Sequence, residues 1–138
     1  MAGYSGTPLA KKLGVKPGTA IAVLGAPAGY LESLELPEGA RAVEHARGAP
    51  ALVQLFASRR ADLVKQLPRL VKALPSDGAL WVSWPKGKEK ARVPTDLDEG
   101  QVRELGLSAG LVDVKVCAVD ATWSGLKFMF RLKDRPKR

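Results

Sequence analysis

The chain has 138 residues, 46% hydrophobic and 26% charged, with a net charge of +8. That length suits one domain around one core, and the composition excludes a disordered or fibrous chain. A single cysteine, Cys117, and a single histidine, His45, exclude an internal disulfide, a cysteine-rich zinc centre and a histidine dyad.

No apolar run approaches the roughly 20 residues that cross a bilayer. The N-terminus lacks a charged segment followed by an apolar one, so no secretory signal is expected. The expectation is one reduced, cytoplasmic domain over 1–138 with no membrane partner and no metal. Residues 1–6 and 133–138 read as flexible tails.

Thr7-Pro8 suits the start of a short helix that ends at Leu13, and Gly14 can close it in the left-handed conformation. Lys16-Pro17-Gly18 is a turn. Thr19 to Leu24 is a continuous apolar run, the mark of a strand buried on both faces. The loop Gly25 to Gly29 follows, then a short helix from Tyr30 to Leu34. Pro37-Glu38-Gly39 is a turn before a weak strand over Ala40–Ala46.

Ala51–Phe56 is a second buried strand. The spacing of Leu63, Val64, Leu67, Leu70, Val71 and Leu74 predicts an amphipathic helix over 58–74, with Ser58 as its N-cap. Pro68 is expected to kink or split that helix. Pro75 to Gly78 turns the chain into a third buried strand that ends in Trp84-Pro85-Lys86. Strand, helix and strand make a parallel crossover, and its ligands belong beyond the carboxyl ends of the strands.

Residues 87–93 are a charged loop. Thr95 and Asp98 resemble a capping box for a helix running to about Leu105. Leu111–Val119 and Trp123–Leu132 alternate apolar and polar residues about a short turn, which predicts an antiparallel hairpin.

In this order the chain resembles a reduced class I methyltransferase: a single Rossmann-like α/β domain whose mostly parallel sheet ends in an antiparallel C-terminal hairpin. The resemblance is clearest from Leu74 to Val82, where a helix ends, a glycine turn follows and a buried strand begins. It implies a glycine loop for S-adenosylmethionine after the first strand, with an acidic residue after the second to hold a ribose. Gly25, Gly29 and Glu44 occupy those positions. Pro27 departs from the pattern, because it removes one backbone donor from the loop. A scaffold without cofactor is therefore expected, with S-adenosylmethionine as the alternative.

Trp84, Pro85, Lys86, Lys88 and Trp123 are candidate ligand- or partner-binding residues near the strand ends. Trp81 and Trp84, three apart on a strand, are expected on opposite faces. No catalytic residue is expected. Cys117 has no histidine beside it and reads as structural, and Asp120 and Ser124 suit local capping of the turn.

The chain also resembles, nearly end to end, a family of short bacterial proteins of unknown function. The resemblance is carried by Thr7-Pro8-Leu9, Trp84-Pro85-Lys86 and Val112–Phe128, and it implies no activity. The leading functional expectation is a non-catalytic binding or regulatory module, because the chain leaves little room for segments covering a cofactor. A methyltransferase with an altered glycine loop is the alternative. A second alternative is a nucleic-acid binder using the basic loop 86–92 and the basic tail. Edge strands also make a homodimer an expectation.

Overall fold

The structure is a computed structural model, and it describes residues 8–86 and 93–135. Its elements in chain order are α1 (Leu9–Leu13), β1 (Ala20–Leu24), α2 (Tyr30–Ser33), β2 (Arg41–Val43), β3 (Leu52–Phe56), α3 (Arg60–Ala73), β4 (Ala79–Pro85), α4 (Glu99–Ser108), β5 (Leu111–Ala118) and β6 (Trp123–Phe130). The six strands form one sheet in the order β2-β1-β3-β4-β6-β5. The β1–β2, β1–β3 and β3–β4 pairs are parallel, and β6 runs antiparallel to both β4 and β5.

Two apolar layers sandwich this sheet. Leu63, Leu67 and Leu70 of α3 and Val102 of α4 pack on one face with Leu80, Val82, Trp84, Leu126 and Phe128. Ala10 and Leu13 of α1 and Tyr30 of α2 pack on the other with Val23, Phe56, Trp81 and Trp123. The two tryptophans of β4 therefore face opposite sides, as the period of a strand requires. Trp81 also donates its indole N–H to the Leu13 carbonyl at 2.9 Å, which satisfies a free group at the end of α1.

α3 is one uninterrupted helix despite Pro68. The carbonyl that loses its donor belongs to Val64, and Val64 and Pro68 both lie on the exposed side, where the carbonyl is open to solvent and the lost bond costs little. Packing of the leucine face holds the helix together. Ser58 does not cap it. Instead the Arg60 backbone N–H donates to Asp96 Oδ1 at 2.7 Å, from 36 residues away. The Thr95 hydroxyl donates to the Ser58 carbonyl at 2.7 Å.

The expected capping box is also displaced by three residues. Asp98 is the N-cap of α4 and accepts the Gln101 N–H at 2.9 Å, and the helix runs on to Ser108. β2 is shorter than expected, at three residues. Pro8 precedes α1 rather than opening it, and Thr7 lies outside the described residues. Lys133 and Asp134, expected in a loose tail, belong to a single 3-10 turn over Leu132–Asp134.

Gly14 closes α1 at φ +92, as expected. Gly106 has a different reason to be glycine: a Cβ there would collide with the Phe128 ring. β5 forms one edge of the sheet and is exposed along its middle, with a register shift between Asp113 and Lys115. No helix among the described residues is long and apolar enough to cross a membrane.

Candidate functional site at the carboxyl edge of the sheet

β1 is the point where strand order reverses, since β2 lies on one side of it and β3 on the other. At such a point the chain leaving the neighbouring strands diverges to opposite sides and opens a crevice at their carboxyl ends. Two clefts are found there. The first, of about 340 Å³, is lined by Val23, Gly25 to Gly29, Leu31, Glu32 and Glu44. The second, of about 330 Å³, lies between β1, β3 and the first turns of α3, where Asp62, Lys65 and Gln66 line it with Leu24, Gly25 and Phe56. Gly25 belongs to both.

The loop is shaped by its glycines. Gly25 has φ +72, and a Cβ on it would stand 2.9 Å from the Phe56 carbonyl oxygen, so the loop lies directly against the end of β3. Gly29 has φ +83 and leads into α2 with open space where a Cβ would point. Pro27 accepts the Tyr30 N–H through its carbonyl at 3.1 Å. Glu44 follows the last residue of β2, is exposed, and meets the same cleft. The three residues that sequence placed at a cofactor, Gly25, Gly29 and Glu44, thus share one cleft.

The other candidates are not gathered there. Trp84 is 4% exposed and packs under α3 and α4; Pro85 is buried at the end of β4. Trp123 is 7% exposed and meets Phe56 edge-to-face at 5.0 Å. These residues present no face to a ligand, because their apolar area completes the core. Lys86 is half-buried and donates its backbone N–H to Thr122 at 2.8 Å. Lys88 and the rest of the basic stretch 87–92 lie outside the described residues, as do 136–138.

Burial pushes the Cys117 thiol up, against the pull of Lys115 and Lys12, so it is no activated nucleophile. Asp120 caps its turn, accepting the backbone N–H groups of Thr122 and Trp123 at 2.8 Å. Among the described residues no three His, Cys, Asp or Glu side chains are grouped to hold a metal.

Beneath the loop lies a polar chain that sequence reading passes over. The Tyr30 hydroxyl donates to Gln54 Oε1 at 2.7 Å, and Gln54 Nε2 donates to Ser83 Oγ at 3.1 Å. Gln54 and Ser83 are 1% and 0% exposed. The ring of Tyr30 meets Phe56 edge-to-face at 4.7 Å. Burial drives the Tyr30 phenol far above its ordinary value, with the bond to Gln54 opposing, so it stays protonated. The one signal for this chain in the sequence is a glutamine inside the apolar run Leu52–Phe56.

No known family profile matches the sequence, and no curated protein matches it. Solved structures do match in shape. A SAM-dependent methyltransferase from Aquifex aeolicus superposes with a TM-score of 0.66 at 14% identity, over 88% of this chain and 87% of that one. The fold is methyltransferase-like. An inferred type 11 methyltransferase from Sulfolobus solfataricus follows at 0.64 and 12% identity, over 94% of both chains. A ribosomal protein L11 methylase from Lactobacillus delbrueckii subsp. bulgaricus gives 0.59 at 13% identity, over 89% of this chain and 75% of that one.

The cleft at β1 is within the size range of small-molecule sites, Gly29 leaves open space where a side chain would stand, and the Glu44 carboxylate lines it.

Proposed function

We propose that this chain binds S-adenosylmethionine at the carboxyl end of β1 and serves methyl transfer. The observation that carries the reading is the meeting of Gly25, Gly29 and Glu44 on one cleft at the reversal of strand order. Gly25 lets the loop close against β3, Gly29 leaves open space where a side chain would stand so that backbone can approach the ligand, and Glu44 would accept from ribose hydroxyls.

Charge favours this ligand over a dinucleotide. Glu32 and Glu44 line the cleft, and no lysine or arginine does so among the described residues, although the chain carries +8 overall. A phosphate would meet two carboxylates and a loop that lacks the N–H of Pro27. A sulfonium nucleoside meets neither obstacle. Bound cofactor would supply the methyl group, and positioning carries much of such a transfer without an acid–base pair. The shortness of the chain does not weigh against it, since the Sulfolobus solfataricus protein is matched over 94% of its own length.

Calorimetric titration tests the reading. Binding at micromolar affinity, weakened about tenfold or more by Glu44→Ala, is the expected result. No heat at millimolar S-adenosylmethionine would overturn it.

A second reading, a binding or regulatory module that does no chemistry, is favoured by one specific observation. Trp84 and Trp123 are buried, so neither roofs an acceptor beside the cofactor. Methyl-labelled cofactor separates the two. Label passing to a component of cell extract supports the enzyme, and tight binding with no transfer supports the module.

A further inference from the structure

We propose that the α1 side of the β5–β6 hairpin binds the phosphates of a single strand of nucleic acid, through Lys115 and Lys127 with Lys12 beside them. None of the three lines either cleft.

An irregularity in β5 builds this face. Asp113 pairs with Phe128 and Lys115 with Lys127, so Val114 is the extra residue of a bulge. In a regular strand Asp113 and Lys115 would point the same way. Here Asp113 takes the side of Phe128, where Arg103 of α4 holds it at 3.0 Å. Lys115 takes the other side with Lys127, which lies across from Trp81 in the layer under α1. The bulge thus parts the lysines from the one carboxylate of β5. α1 and β6 carry no carboxylate, and Asp120 in the turn accepts two backbone N–H groups.

Both lysines converge on the end of α1. Lys115 Nζ donates to the Lys12 carbonyl at 3.4 Å. Lys127 Nζ lies 3.8 Å from the point where a Cβ on Gly14 would stand. Helix capping accounts for Lys115 but not for Lys127. The carbonyls of Ala10, Lys11 and Leu13 are already taken by the N–H groups of Val15, Gly14 and the Trp81 indole. Like charges directly opposite on a sheet repel, and neither Lys115 nor Lys127 joins an ion pair among the described residues. An anion relieves that repulsion.

Shape and composition select the anion. Ammonium groups gathered at one helix end reach phosphates of one strand, not both walls of a groove about 12 Å wide. Trp123, Phe128 and Phe130 of the hairpin are buried, so no ring among them stacks on bases or enters a bilayer interface. Binding should therefore follow phosphate and not sequence.

Fluorescence anisotropy of a labelled RNA strand of about 20 nucleotides, from about 50 to 200 mM salt, tests this on the whole protein. Wild type should bind at micromolar affinity at the lower salt and weaken as salt rises. Lys115→Gln and Lys127→Gln together should weaken binding about tenfold there and reduce the slope of log affinity against log salt by about 1.4. Arg69→Gln and Lys72→Gln together remove the same charge from α3, across the sheet, and should stay within about twofold of wild type. Lys127→Gln alone should melt no lower than wild type. Equal weakening by the two pairs would reduce the effect to net charge and overturn the inference. So would a lower Tm in Lys127→Gln with RNA affinity unchanged. Absence of RNA binding by wild type at the lower salt, or binding of phosphatidylserine vesicles in its place, would overturn it as well. None of these results touches the nucleoside reading, which titration with S-adenosylmethionine decides separately.

Discussion

The buried chain Tyr30–Gln54–Ser83 makes a quantitative test of how the glycine loop is held. Tyr30→Phe keeps the ring on Phe56, at 4.7 Å between centroids, and removes only the hydroxyl. Gln54 Oε1 is then left without its donor in a side chain that is 1% exposed. Stranding a buried acceptor costs about 1–3 kcal/mol, more than the net worth of the hydrogen bond itself. For a domain of this size each 1 kcal/mol moves Tm by about 3–5 °C. Gln54→Leu leaves the Tyr30 hydroxyl without its acceptor and should cost a similar amount. The double variant removes both partners of the 2.7 Å bond, so it should be more stable than the sum of the two losses by about 1 kcal/mol or more. Urea unfolding of the four proteins closes the cycle. A loss below about 0.5 kcal/mol for either single variant, or simple additivity, would refute the argument that this chain is a coupled buried network.

Three further outcomes follow from particular contacts. Because Tyr30 stays protonated above its ordinary value of 10.0, the folded state holds a proton that the unfolded state releases. That stabilisation is complete below pH 10 and is lost as the pH rises toward the folded value; urea midpoints should fall above pH 10 in wild type and less in Tyr30→Phe. Gly106→Ala drives a methyl into the Phe128 ring and should destabilise by about 1–3 kcal/mol or more, although alanine is the better helix former; a Tm equal to wild type would contradict that packing. Asp96→Ala removes the acceptor at the start of α3 and should cost about 1 kcal/mol, with hydrogen exchange rising first in Arg60 to Leu63.

Much of this architecture was legible because parallel strands buried on both faces need unbroken apolar runs. Leu52–Phe56 and Ala79–Pro85 are such runs, and their pairing was predictable from the helix between them. The hairpin was legible from its alternation. Which of its strands joins β4 is written more faintly: β6 carries Trp123, Leu126, Phe128 and Phe130 on its two faces, while β5 carries Asp113 and Lys115 in an exposed middle. The loop glycines and Glu44 could be placed because a Rossmann-like order fixes the ends of β1 and β2. Non-local features could not be read this way. The cap on α3 comes from Asp96, the second cleft is made by α3 folding over the end of β1, and Gln54 finds its partners on α2 and β4. Trp84 and Trp123 misled for a related reason, since position near a strand end does not reveal which layer a side chain fills.

The most direct measurement is a residue-resolved NMR titration of the labelled protein with S-adenosylmethionine. Shifts are expected to concentrate at Gly25 to Glu32, at Glu44, and at Phe56 to Gln66, saturating together at micromolar concentration. An unchanged spectrum at millimolar cofactor, or shifts confined to the basic C-terminal residues, would contradict it.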